Sequence, residues 1–183
     1  MIDISVCGLI VIPGREQQGW ECALRQETLA ELDLSDALNF AREEIRIECL
    51  DNGLLGCSFI AAAFHPGKVE ICPGLDYADQ PVNVIEELEH HSDERIYTVC
   101  GFYADDWQTY SGYWTAISPR LAYLAAFEHE QDQSGRYLYV ANVHEGELER
   151  LNLPNGEPPA YGDPACKTQS QMSDAINTLL EVQ

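Results

Sequence analysis

Short apolar runs and turn signals follow one another along the chain in an order that occurs twice. Ile4 to Ile12 and Tyr97 to Ala104 are rich in β-branched and aromatic residues. Each is followed by a polar stretch ending in Gly and then by a second run, Trp20 to Leu24 or Tyr113 to Ile117. Runs of this length between turn residues predict strands, and two in succession predict a hairpin. Ser35 before Asp36, and Ser118 before Pro119, then supply N-cap hydroxyls, and Pro119 fits the first helical position, where no N–H is needed. Helices are expected after both. Leu34, Leu38, Ala41 and Ile45 recur at helical spacing in the first, and Leu121, Leu124 and Ala125 in the second. Asp51-Asn52-Gly53 and Ser134-Gly135 end them with residues that tolerate positive φ.

A third strand is expected in each half, Cys57 to Phe64 and Arg136 to Val143, the second with only partial alternation. Each leads into a His-x-Gly turn, at 65–67 and 144–146. Pro73-Gly74 and Pro154-Asn155-Gly156 open long connections. Val82 to His91 and Ser170 to Val182 then read as closing helices, with Val84, Ile85 and Leu88 on one apolar stripe and Ile176, Leu179 and Leu180 on the other.

The recurrence extends to residue identity. Val6-Cys7-Gly8 returns as Val99-Cys100-Gly101, and the same offset aligns Gly19-Trp20 with Gly112-Tyr113. Farther along, Ser35, Leu38 and Phe40 align with Ser118, Leu121 and Tyr123. Ala62 and the segment from His65 to Glu70 align with Ala141 and the segment from His144 to Glu149. The offset shrinks where loops are expected, so the first half has the longer connections. The expected fold class is α+β: a tandem duplication of a ββαβ(α) unit, residues 1–95 and 96–183, forming two similar lobes about a pseudo-two-fold axis.

Charge changes this picture most. The 183 residues carry 31 Asp and Glu against 10 Lys and Arg, a formal net charge of -21. The acids are dispersed over both halves, so folding should spread them across an ordered surface. Such a surface repels nucleic acid and anionic membranes and attracts basic proteins. Solubility needs far less charge than this. Adaptation to high salt fits poorly with seven cysteines and with more Glu than Asp. A third cause is mimicry, in which carboxylates on a rigid scaffold stand in for the closely spaced phosphates of a duplex.

With 45% apolar residues a packed core is expected. No stretch reads as a membrane span or secretory signal, so a cytoplasmic location is expected. The seven cysteines, Cys7, Cys22, Cys49, Cys57, Cys72, Cys100 and Cys166, sit mostly in apolar segments and read as reduced core thiols.

Candidate chemistry is sparse. His65 and His144 occupy matched positions beside a Gly and could meet across a two-fold axis, which makes them the candidate ligand site, although duplication copies turn residues too. His90-His91 with Asp93 and Glu94 lack the spacing for one ion and read as a helix exit. No metal, no cofactor and no catalytic residue is predicted, and no nucleotide or nucleophile motif occurs. Buried Cys100 should pack, its thiolate suppressed. Asp105, Asp106 and Trp107 at a hairpin tip, with Tyr110, Tyr113 and Trp114 nearby, suit a protein interface, Tyr113 and Trp114 on opposite faces.

In charge and size, though in no quoted residue, the chain resembles small folded acidic inhibitors that mimic DNA, such as anti-restriction and anti-CRISPR proteins of phages and plasmids. The expected function is a non-enzymatic acidic inhibitor or adaptor, monomeric or homodimeric, that occupies a basic nucleic-acid-binding protein or complex without binding nucleic acid itself. Its contacts would include Glu43, Glu44, Glu86, Glu87, Glu89, Asp105, Asp106 and Trp107. The alternative is a small-ligand-binding or catalytic α+β protein with its site between the lobes, near His65 and His144.

Overall fold

The apolar runs form two antiparallel sheets, each with a helix against it. In this computed structural model, which describes residues 2–11, 18–26, 34–53, 58–72, 84–103 and 108–151, β1 (Ile2–Val11) pairs with β2 (Gln18–Gln26). After α1 (Leu34–Asp51), β3 (Ser58–Pro66) returns to the other side of β1, giving the order β2-β1-β3. A short helix, α2 (Val84–His90), precedes β4 (Arg95–Tyr103), β5 (Thr109–Ala116), α3 (Pro119–Ser134) and β6 (Leu138–Glu145), and the second sheet has the order β5-β4-β6. The architecture is α+β. The expected helix at 170–182 and the connections at 73–83 and 154–169 lie outside the described residues.

Local chemistry sets the helix boundaries. Ser118 is extended, and its Oγ accepts a hydrogen bond from the Leu121 N–H at 3.2 Å, with Pro119 opening the helix as expected. Gly135, at φ 67°, closes the helix by donating its N–H to the Gln131 carbonyl. In α1 the helix begins at Leu34, which places Ser35 inside the first turn and not at the cap.

The helices present narrow, small-residue faces. Among the described side chains of α1, Ala41, Ile45 and Cys49 are buried, four residues apart, as the pattern through Ala41 and Ile45 implied. In α3 the buried pair is Ala122 and Ala126, one position later than the expected stripe of Leu121, Leu124 and Ala125. Alanine lets the helix approach the sheet closely. Ala122 and Ala126 pack on Tyr97, Val99, Leu138, Val140 and Val143, with Tyr123 and Phe127 partly buried at the edge. On α2, Ile85 and Leu88 are 70% and 61% exposed, so these two positions of the expected apolar stripe do not face inward; among the described side chains of α2 the buried one is Glu87.

One irregularity recurs and decides where side chains point. The β1–β3 register passes from Cys7 opposite Ala63 to Gly8 opposite Ala61, leaving Ala62 as an extra residue. The β4–β6 register passes from Cys100 opposite Asn142 to Gly101 opposite Val140, leaving Ala141 extra. Each is a β-bulge, and one inserted residue reverses the alternation of everything after it. In β6, Leu138 and Val140 face α3 before the bulge and Val143 faces it afterwards, which sends Asn142 and His144 to the opposite face, toward the first sheet. Every residue from Leu138 to His144 is buried, because the strand is covered by α3 on one side and by the first sheet on the other.

The hairpins are offset differently from the sequence alignment. Gly19 pairs with Leu9 and Gly112 pairs with Val99, so these glycines do not hold matching places. With β1 and β4 aligned on their bulges, Cys22, opposite Val6, is the counterpart of Gly112.

Candidate functional site

The bulges and the turns that follow them bring two histidines together between the sheets. His65 and His144 are strand residues, opposite Ser5 and Thr98, and not turn residues as the His-x-Gly pattern suggested. The turns belong to Gly67 and Gly146, whose φ values of 87° and 98° suit glycine. Hydroxyls clamp both turns. Ser5 Oγ donates to the Gly67 carbonyl and accepts from the Val69 N–H, each at 3.0 Å. Thr98 Oγ1 donates to the Gly146 carbonyl at 2.6 Å and accepts from the Leu148 N–H at 2.9 Å.

Past the turns, each chain segment crosses to the other sheet. The Cys72 N–H donates to the Val143 carbonyl and the Leu151 N–H to the Phe64 carbonyl, both at 2.8 Å. These straps carry the carbonyls that hold the histidines. His65 Nδ1 lies 2.7 Å from the Glu149 carbonyl oxygen and His144 Nδ1 lies 2.9 Å from that of Glu70. A carbonyl can only accept, so Nδ1 carries the proton on both rings. Burial disfavours a second proton. It holds His65 below the usual histidine range and His144 at about 4, the latter helped by the neighbouring His65. Both rings are therefore neutral at pH 7, with a lone pair on Nε2.

The two imidazoles share a buried cluster with two cysteines. The two rings meet edge to face with centroids 5.6 Å apart. A ligand atom from each of Cys7, His65 and His144 lies within 4.8 Å of the others, and Cys100 Sγ lies 3.7 Å from His65 Nε2. Cys7, His65 and Cys100 are fully buried and His144 is 1% exposed. Burial pushes the Cys100 thiol up to about 11, partly offset by Ser111, whose Oγ is 3.8 Å away. His144 Nε2 and Asn142 Oδ1 have no hydrogen-bond partner. Such sealing leaves these side chains almost without solvent contact.

The open concavity lies elsewhere. A cleft of about 560 Å³ is lined by residues that include Cys72, Glu87, His90, His91, Arg120 and Glu145. Glu87 is held there by Arg120 at 3.7 Å, with His91 4.0 Å away. Burial, with the Glu145 carboxylate next in effect, pushes the Cys72 thiol up to about 11. His90 ends α2, and Ser92 Oγ donates to Asp93 Oδ1 at 3.3 Å beyond it, the expected helix exit.

Of the expected partner contacts, Glu43, Glu44 and Glu89 are exposed and Glu86 belongs to α2, while Glu87 is turned inward. Asp105, Asp106 and Trp107 lie outside the described residues. Tyr113 is 49% exposed and Trp114 is partly buried, its indole N–H donating to the Tyr110 hydroxyl at 3.0 Å, as alternation requires. Cys7, Cys49, Cys72 and Cys100 are thiols. Among the described residues, no helix is long and apolar enough to cross a membrane. No protein-family model matches the chain, and neither curated proteins nor solved structures are significantly similar to it.

Sequence reasoning paired His65 with His144 but missed Cys7 and Cys100 as their neighbours. The signal was present: the two most exact repeat segments each preserve one of these residue types.

Proposed function

We propose that the protein is a rigid, acidic, non-enzymatic binding module that covers a basic, nucleic-acid-binding surface of a partner protein. One observation supports this reading: a net charge of -21 on a chain that, among its described residues, carries many of its acids on regular elements such as α1 and α3. On the outer side of α1, Glu43, Glu44, Glu48 and Asp51 are all exposed. At a rise of 1.5 Å per residue they span about 12 Å. Arg46, bonded to Glu43 at 2.6 and 2.9 Å, offsets only part of that charge. Burial of Glu87 beside Arg120 removes it from the docking set, which leaves Glu43, Glu44, Glu86, Glu89 and the tip residues Asp105, Asp106 and Trp107.

We further infer that the scaffold arose by tandem duplication of one ββαβ unit, residues 1–95 and 96–183, with the copies related by a pseudo-two-fold axis. Matched bulges at Cys7 and Cys100, matched hydroxyl clamps at Ser5 and Thr98, and reciprocal carbonyl contacts to His65 and His144 support this reading. Rigid lobes hold acids at fixed spacing, which mimicry of a phosphate array requires.

The test is isolation of the native complex, followed by competition with duplex DNA and titration with salt. Replacement of Glu43, Glu44 and Glu89 by Gln should weaken the complex at least about tenfold, and raised salt should dissociate it, as expected for steering between opposite surface charges. A complex indifferent to DNA, salt and these replacements would remove the proposal.

A further inference from the structure

Two buried acceptors without hydrogen-bond donors lie two residues apart on one face of β6. His144 Nε2 is a lone pair by the tautomer argument above, and Asn142 Oδ1 is an acceptor by nature; both are sealed from solvent and unpartnered. A native interior rarely leaves such groups unpaired, because each costs about 1–3 kcal/mol. His144 also belongs to a ligand set. One ligand atom from each of Cys7, His65 and His144 lies within 4.8 Å of the others, and Cys100 Sγ lies 3.7 Å from His65 Nε2. Each histidine is fixed by its Nδ1–H on a backbone carbonyl, the outer-shell arrangement that orients a metal-binding imidazole.

We propose that Cys7, His65, Cys100 and His144 bind one Zn²⁺ ion between the two sheets, as a closed tetrahedral structural site. Bond lengths of about 2.3 Å to sulfur and 2.0–2.1 Å to nitrogen place neighbouring ligand atoms of such a site roughly 3.3–3.8 Å apart. The Cys100–His65 distance already lies in that range, and the ligand atoms of Cys7, His65 and His144, within 4.8 Å of one another, close by about 1.5 Å at most. Two thiols and two imidazoles suit zinc, and full burial with no open position suits a structural role over a catalytic one. Binding releases both thiol protons and leaves a neutral set of ligands, two thiolates balancing the ion. Each sheet contributes one Cys and one His, so the ion would cross-link them.

The test uses the full chain purified under reducing conditions. Elemental analysis is expected to give one zinc per chain. After chelator treatment, Co²⁺ should restore a tetrahedral visible spectrum with a thiolate-to-metal charge-transfer band, and Zn²⁺ should raise the melting temperature by at least about 5 °C. Cys100→Ser and His144→Gln should each lower metal affinity by at least about tenfold, whereas His90→Gln/His91→Gln should leave it unchanged. If the ligand variants fail to fold, the zinc content and chelator response of the natural chain decide the matter. Absence of both, a Co²⁺ spectrum that lacks the thiolate band, or metal lost in the His90/His91 variant instead would overturn the site. The outcome is independent of whether a basic partner is found.

Discussion

Gly101→Ala tests the bulge that aims Cys100. Gly101 has no positive φ to explain it; its role is space. A Cβ built there would lie 2.2 Å from the Tyr139 carbonyl oxygen and 3.0 Å from Tyr139 C and Val140 Cα. All three are backbone atoms of the paired strand β6, so no side chain can swing aside. A relaxed carbon–oxygen contact is about 3.3 Å, which requires the strands to part by roughly 1 Å where both faces of β6 are packed. Overpacking of this kind costs about 1–3 kcal/mol, and the backbone contacts place Gly101→Ala at the upper end, near 3 kcal/mol. Gly135→Ala is the control: its Cβ would meet nothing within 4 Å, and its φ of 67° predicts a penalty of about 1–2 kcal/mol from left-handed backbone strain alone. Urea unfolding followed by circular dichroism reads the difference. With m near 2 kcal/mol/M, the Gly101→Ala midpoint should fall by about 1.5 M and the Gly135→Ala midpoint by about 0.5–1 M. Equal midpoints for Gly101→Ala and the natural chain, or a larger loss at Gly135, would refute the steric account.

Two further predictions concern other parts of the fold. Ser118→Ala removes the acceptor of the Leu121 N–H and should cost about 1 kcal/mol, with Ser118→Gly costing less; equal stability of Ser118→Ala and the natural chain in the same titration would show that the cap contributes nothing. Cys72, its thiol pushed up to about 11, should alkylate slowly at pH 8 and accelerate about tenfold per pH unit up to pH 10, because the thiolate is the nucleophile and its fraction grows until the thiol pKa is reached. Residue-resolved mass spectrometry would detect this, and a rate that levels off near pH 9 would contradict the shift.

Element type was legible in the chain because it rests on local signals. Ser118-Pro119, the glycines at 53, 67, 135 and 146, and the apolar runs each act within a few residues, and the structure keeps them all near their expected places. What escaped was set by pairing across the chain. The partial alternation of 136–143 is the trace of a bulge, and without the register there was no way to see that Ala141 is the inserted residue that turns His144 inward. The α3 stripe was placed one position early because leucines outweigh alanines on any hydropathy pattern, while close packing on a sheet favours Ala122 and Ala126. The three-residue error in the hairpin alignment came from matching Gly19-Trp20 to Gly112-Tyr113 by identity, where loop length had shifted the pairing. The strap carbonyls of Glu70 and Glu149 carry no side-chain signature, so the histidines' partners were invisible.

The crossing straps impose an order of events during synthesis. His65 depends on a carbonyl 84 residues farther along the chain, and His144 on one 74 residues behind it. At about 5–20 residues per second the first sheet therefore waits roughly 4–17 s for the residue that caps its buried imidazole. Throughout that interval the face that will meet the second sheet, with Cys7 and His65 on it, is open to other chains. A ribosome-bound chain stalled before Glu149 should be the species most prone to associate with itself, and release past Leu151 should end that vulnerability.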